Sequence, residues 1–176
     1  GLANDLDTLL MAAKRVESNP GIHFLLVGDG KERERLEAQS RAMDLQNVTF
    51  TGSYPKSQMA EVLAASDACV AILKNIPTFQ MTYPNKVFDY MAAGRPTILA
   101  IDGVIRQVIE AAGAGLFVPP GNPEQLAEAV LHLAQQPQTT RLMGKAGRDY
   151  VIQHFNRHHQ AGQFADLVSR WAARES

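Results

Sequence analysis

The chain of 176 residues is predicted to fold as an α/β domain, a Rossmann-like doubly wound parallel sheet with a C-terminal helical tail. Two observations carry that prediction. Short apolar runs alternate with amphipathic segments through residues 5–118, the pattern of successive βα units. The runs are apolar throughout rather than alternating, as strands covered on both faces must be. After Val118 the character changes, and residues 123–176 carry helical patterns with nothing strand-like among them.

Each element has its own signal. Leu6, Leu9, Leu10 and Ala13 repeat at helical spacing and predict a helix over Asp5–Ser18. Further helices are predicted at Lys31–Met43, Lys56–Ala64, Pro84–Ala93 and Val104–Ala112. The strands are His23–Val27, Asn47–Thr51, Ala68–Leu73, Thr97–Ile101 and Gly115–Val118, each bounded by Gly, Pro, Asn or Asp. Pro119-Pro120-Gly121 ends the last strand. Asn122 is placed as an N-cap, Pro123 as the first helical residue and Glu124 as a first-turn acid. Helices at Pro123–Ala134, Thr139–His154 and Arg157–Ala173 then make a tail that packs on the sheet. Right-handed crossovers place Gly28, Gly52, Leu73 and Ile101 at the carboxyl edge of the strands.

Composition narrows the function. Seventeen basic and eighteen acidic side chains leave a net charge of −1, without the basic footprint that nucleic-acid binding needs. No run of 18 apolar residues exists to span a bilayer. The lone Cys69, in the apolar run Ala68–Ile72, has no disulfide partner and reads as a buried small hydrophobe. A cytoplasmic location is the expectation. His154 and His158 are four residues apart across a predicted helix junction, but a metal needs more ligands than that pair.

Three segments are placed to do chemistry. Val27-Gly28-Asp29-Gly30-Lys31 ends a strand and starts a helix, so Gly28 and Gly30 are candidates for close approach to a phosphate ligand. A dinucleotide fingerprint requires a third glycine where Arg33 stands, and the acidic residue about twenty positions on is missing. Gly52-Ser53-Tyr54 follows the next strand. Its exposed backbone suits the edge of a nucleobase, while Ser53 and Ser57 also suit helix caps. In the third segment, Pro84 is placed at the first helical position of a helix that Gly94 ends. Lys86 and Asp89 share one side of its first turn. There they read either as a solvated ion pair or as a phosphate cation and a ribose acceptor.

Pro84-Asn85-Lys86-Val87-Phe88-Asp89-Tyr90-Met91-Ala92-Ala93-Gly94-Arg95-Pro96 resembles the donor-site helix of family 4 glycosyltransferases, in the branch that builds bacterial surface polysaccharides. Three further landmarks occur in the family's order: Val27-Gly28-Asp29-Gly30, Asn47-Val48-Thr49-Phe50-Thr51-Gly52, and Gly113-Ala114-Gly115 through Pro123. The resemblance implies that residues 1–176 form one domain, the donor-binding half of a GT-B enzyme, with the acceptor domain absent. It implies sugar transfer with retention from a nucleotide-diphosphate sugar, UDP ahead of GDP, to a glycan or lipid-linked acceptor. It implies no cofactor and no metal, and a full-length protein that is peripheral at the inner membrane face.

The site residues implied are Asn85 and Lys86 for phosphate, Asp89 for ribose and the backbone at Gly103 for the sugar phosphate. Two positions depart from the family pattern. Met81 stands where the family has a carboxylate, and Asn4-Asp5 where many members have Lys-Gly. The loss at Met81 keeps open a non-catalytic nucleotide-binding module, and the shared fold keeps open a UDP-sugar 2-epimerase-like isomerase. If the chain begins after the domain's first strand, the centre of the sheet is vacant or filled by another chain, so a homodimer or strand exchange is a further expectation.

Overall fold

A computed structural model describes residues 3–155. The predicted helix Arg157–Ala173 and His158 lie outside the described residues. The elements run α1 (Leu6–Arg15), β1 (Phe24–Val27), α2 (Arg33–Ala42), β2 (Val48–Gly52), α3 (Met59–Ala65), β3 (Cys69–Ile72), α4 (Asn85–Ala92), β4 (Thr97–Ala100), α5 (Val104–Ala112), β5 (Gly115–Phe117), α6 (Pro123–Gln135) and α7 (Pro137–His154). Single 3₁₀ turns at Lys56–Gln58 and Pro77–Met81 precede α3 and α4.

Every strand pairing is parallel, as the unbroken apolar runs require, but the sheet is divided. β1 pairs with β2, β3 pairs with β4, and β4 pairs with β5. No ladder joins β1 to β3. Gly28 and Gly52 share the carboxyl edge of the first pair, bonded through the Gly28 N–H and the Gly52 carbonyl at 2.8 Å. Leu73 and Ile101 share that of the second group, where the Leu73 N–H bonds the Ala100 carbonyl.

Burial explains why both groups stay together. Ile72, Ile98 and Ala100 project to one face, packing with Leu9, Ala12 and Ala13 of α1 and Leu126 of α6; Phe24 of β1 joins the same cluster. Ala71, Leu73, Leu99 and Ile101 project to the opposite face, against Val87 and Met91 of α4 and Ile105 and Ile109 of α5. This is the period-two alternation of a strand with both faces covered. β4 is buried at all four residues, so its row of Thr97, Ile98, Leu99 and Ala100 anchors both layers.

Local chemistry sets the helix ends, with some corrections. Asn122 caps α6 by accepting from the Gln125 N–H at 2.9 Å, with Pro123 first in the helix. Pro84, expected inside α4, is instead its N-cap with extended backbone, and Asn85 begins the helix. Ser53 and Ser57 cap nothing: Pro55 and Gln58 hold the cap positions, without side-chain caps. The predicted helix over Lys56–Ala64 divides accordingly into a 3₁₀ turn and α3.

α4 ends as its sequence predicts. Gly94, at φ +68°, donates to the Met91 carbonyl and Arg95 donates to that of Tyr90, the paired bonds of a Schellman stop. α7 crosses directly over this stop. A Cβ built on Gly144 would overlap the Gly94 carbonyl oxygen, so the two backbones touch with no side chain between them. Gly144→Ala is therefore expected to lower stability by about 1–3 kcal/mol through overpacking, read as a fall in the urea midpoint. An unchanged midpoint would show that α7 does not hold α4 by this contact.

Candidate nucleotide-sugar site

The loop after β1, the first turn of α4 and the segment leading into α1 come together at one cavity wall. Asn4, Gly28, Asp29, Gly30, Arg33 and Lys86 all line it. The turn after β1 is built locally, for the Gly30 N–H bonds the Asp29 carboxylate at 2.7 Å and the Arg33 N–H closes on the Gly30 carbonyl. Arg33, which the sequence reading did not select, holds Glu37 at 2.7 Å, and its guanidinium lies over Gly52. Any larger residue at 52 meets that cation, with Cβ only 2.9 Å from the guanidinium nitrogen. Ser53 and Tyr54 continue outward from Gly52 as exposed loop.

Lys86 is the most distinctive group. It sits in the first turn of α4, where the Asn85 and Lys86 N–H groups precede the first turn-closing bond, from Val87 to the Pro84 carbonyl. Its Nζ donates to the Asn4 side-chain oxygen at 3.0 Å, and burial holds its pKa below the ordinary lysine value. No ion pair forms with Asp89, which is exposed on the same helix. The ion-pair alternative is thus set aside: Lys86 turns inward to the cavity and Asp89 outward. Asn4 was noted in the sequence only as a departure at the opening loop. Its contact with Lys86 spans 82 positions of chain, which no local spacing reveals.

Gly103 stands apart from that wall. It caps α5 at φ +102°, and a Cβ there would overlap the backbone of Gln80, so packing alone demands glycine. Its N–H is held by the Asp102 carboxylate at 2.8 Å, which leaves the Val104 and Ile105 N–H groups as the donors at the start of α5. Met81 ends the preceding 3₁₀ turn and is 79% exposed, able to do nothing a carboxylate does. Cys69 is buried, its thiol pushed up to about 11 by desolvation, so at neutral pH it is neither nucleophile nor ligand. Among the described residues no three His, Cys, Asp or Glu side chains gather as metal ligands, and no helix is long and apolar enough to cross a membrane.

Comparison with known proteins bears on the family and the fold. The family model described as glycosyl transferases group 1 matches residues 3–136. The lipopolysaccharide core biosynthesis glycosyltransferase LpsD of Rhizobium meliloti is 29% identical over 167 residues, covering 94% of this chain and 46% of LpsD. Sucrose-phosphate synthase from Thermosynechococcus elongatus superposes with a TM-score of 0.80 at 28% identity, over 98% of this chain and 43% of that one. Anabaena HepE, solved with UDP and glucose, superposes at 0.82 with 20% identity, over 97% of this chain and 46% of its own, a likeness of fold. The chain thus spans less than half the length of these relatives.

The geometry makes a stability prediction. Unliganded, Lys86 has given up water for one neutral acceptor, and its lowered pKa means the unfolded chain holds that proton more tightly. The cost is full below the folded-state pKa and fades as pH rises through it toward the ordinary value. Lys86→Met should therefore raise Tm at pH 7 by about 2–4 °C, the equivalent of ~1 kcal/mol at this size. A fall in Tm would show that the bond to Asn4 outweighs the desolvation.

Proposed function

The chain belongs to the group 1 glycosyltransferases, and on that footing we propose that it forms the donor-binding half of a retaining GT-B enzyme. In this reading the whole protein moves a sugar from a nucleoside-diphosphate sugar, UDP ahead of GDP, to a glycan or lipid-linked acceptor bound mainly by a second domain. It works in the cytoplasm, peripheral at the inner membrane face. UDP is favoured because HepE was solved with that nucleotide. A surface-polysaccharide acceptor is favoured by the likeness to LpsD.

The observation that carries the proposal is Lys86, a half-buried cation at a helix N-terminus that no carboxylate among the described residues neutralises. Its charge and the free Asn85 and Lys86 N–H groups are suited to a diphosphate. Lys86 exchanges its neutral Asn4 acceptor for a phosphate oxygen, which recovers the cost of burying the ammonium. Asp89, one turn on, accepts from the ribose hydroxyls. The backbone of Gly52, Ser53 and Tyr54 meets the nucleobase edge, with Gly28 and Gly30 bordering the phosphates. The N–H groups beside Gly103 approach the sugar phosphate. As the glycosidic bond to the leaving phosphate breaks, Lys86 and the helix N-termini stabilise its growing charge, so the reaction is proposed to need no metal.

Transfer also needs the acceptor oxygen held about 3–3.5 Å from the anomeric carbon, and positioning of that kind supplies several kcal/mol of the barrier. The 176-residue chain is accordingly expected to bind nucleotide without catalysing transfer at enzymatic rates. The exposed Met81 favours one alternative, a nucleotide-binding module without catalysis even at full length. Sugar-transfer turnover by the full-length protein would dispose of it.

Calorimetric titration of the chain with UDP, GDP and uridine tests the site. UDP should bind, and Asp89→Ala should weaken both UDP and uridine by about 1–3 kcal/mol. Lys86→Ala should weaken UDP while sparing uridine; equal losses would make Lys86 structural. Absence of UDP and GDP binding at millimolar concentration would overturn the donor-site reading, and rapid turnover by the chain alone would overturn its being half an enzyme.

A further inference from the structure

Arg33 has hydrogen-bonding capacity that the fold does not use. It opens α2 and lines the cavity, and its Nε donates to Glu37 one turn on at 2.7 Å. A guanidinium carries five N–H donors and no acceptor. Those on Nη1 and Nη2 make no hydrogen bond among the described residues. Glu37 thus anchors the fork from its stem side, and Nη1 comes to rest above Gly52, 2.9 Å from where a Cβ would stand. Gly52 is needed there twice over. Its φ of +76° turns the chain out of β2, and its bare Cα leaves the space that the guanidinium fills.

The loop beyond Gly52 does not choose a base by itself. The Gly52 carbonyl is occupied by the Gly28 N–H and the Thr51 hydroxyl. Ser53 and Tyr54 are exposed, and their backbone groups make no hydrogen bond among the described residues. Free backbone offers both donors and acceptors, which the edge of any nucleobase can match. Arg33, at the root of that loop, offers donors alone. Its charge environment also sets it apart from Lys86. The bonded Glu37 carboxylate, and Asp29 through space, hold its proton affinity above the ordinary arginine value. Two carboxylates beside one guanidinium leave no surplus positive charge for a phosphate, whereas Lys86 has only the neutral Asn4. A neutral carbonyl oxygen meets the open N–H groups without that repulsion, and a charged donor strengthens the bond.

We propose that Arg33 selects the nucleobase of the donor. Its open Nη groups donate to an exocyclic carbonyl oxygen, O4 of uracil or O6 of guanine, and turn away the amino group that cytosine or adenine presents at the same position. This rests on the donor-site reading and adds to it the group that distinguishes one nucleotide from another. An amino group facing the fork sets donor against donor and leaves both without a partner, which costs more than the bond forgone. Uracil and cytosine have nearly the same outline, so loop shape does not separate them and the fork does.

Calorimetric titration with two matched pairs, UDP with CDP and GDP with ADP, tests the assignment. The unaltered chain should bind the carbonyl-bearing member at least about tenfold more tightly than its amino-bearing counterpart, in the pyrimidine pair, the purine pair or both. Arg33→Met removes the fork and should bring that ratio to within about threefold of one, mainly by weakening the carbonyl-bearing nucleotide. Arg33→Gln, whose amide both donates and accepts, should do the same with a side chain that stays polar, and it serves if the methionine variant does not fold. Asp89→Ala should weaken UDP and CDP together and leave their ratio unchanged. Ratios near one in the unaltered chain overturn the inference, as does a ratio that both Arg33 variants leave intact. Equal weakening of UDP and CDP by Arg33→Met also overturns it and assigns Arg33 to the phosphates. In those three outcomes nucleotide still binds, so the donor-site reading stands. Absence of binding by all four nucleotides at millimolar concentration overturns that reading and the inference with it.

Discussion

α4 holds its place through a contact of backbone on backbone at the end remote from Lys86. Gly94 turns the chain out of the helix at φ +68°, and Gly144 of α7 rests on its carbonyl with no room for a side chain of its own. Val87 and Met91 are buried beneath the helix, and the Phe88 ring meets that of Phe155, just past α7, at 4.9 Å and a 55° tilt. A helix of eight residues has little stability of its own, so tertiary contacts set its axis. Lys86 and Asp89 inherit their directions from that axis, one inward and one outward.

The same helix shows how a binding group is kept ready at a cost. An ammonium with one neutral partner is poorly solvated, and burial lowers its proton affinity accordingly. Arg33 behaves differently: its guanidinium is already matched to Glu37. Of Lys86 and Arg33, both on the cavity wall, Lys86 has the more to gain from an anion. The glycines nearby are of two kinds. Gly28 borders open space, while Gly103 is fixed by the backbone of Gln80.

The divided sheet is the other organising feature. Parallel strands bury both faces, so their edges are the one place where backbone polarity must be answered by another strand. The inner edges of β1 and β3 are apolar and both line the cavity between the two strand groups.

Sequence alone was enough for the α/β class, the five strands to within a residue or two at each end, and the helix ends set by local chemistry: Asn122 at the start of α6, Gly94 at the end of α4. These follow from periodicity and from bonds spanning a few residues, which a linear reading contains. It misjudged Pro84, Ser53 and Ser57, because several residues in each stretch suit a cap and packing chooses among them. It singled out Lys86 and Asp89 but left open whether they pair with each other. Tertiary structure decided that by bringing Asn4 across 82 positions to Lys86. It also set Arg33 over Gly52 and separated β1 from β3. Those outcomes depend on which backbone edges and side chains meet in space, and no spacing along the chain encodes them.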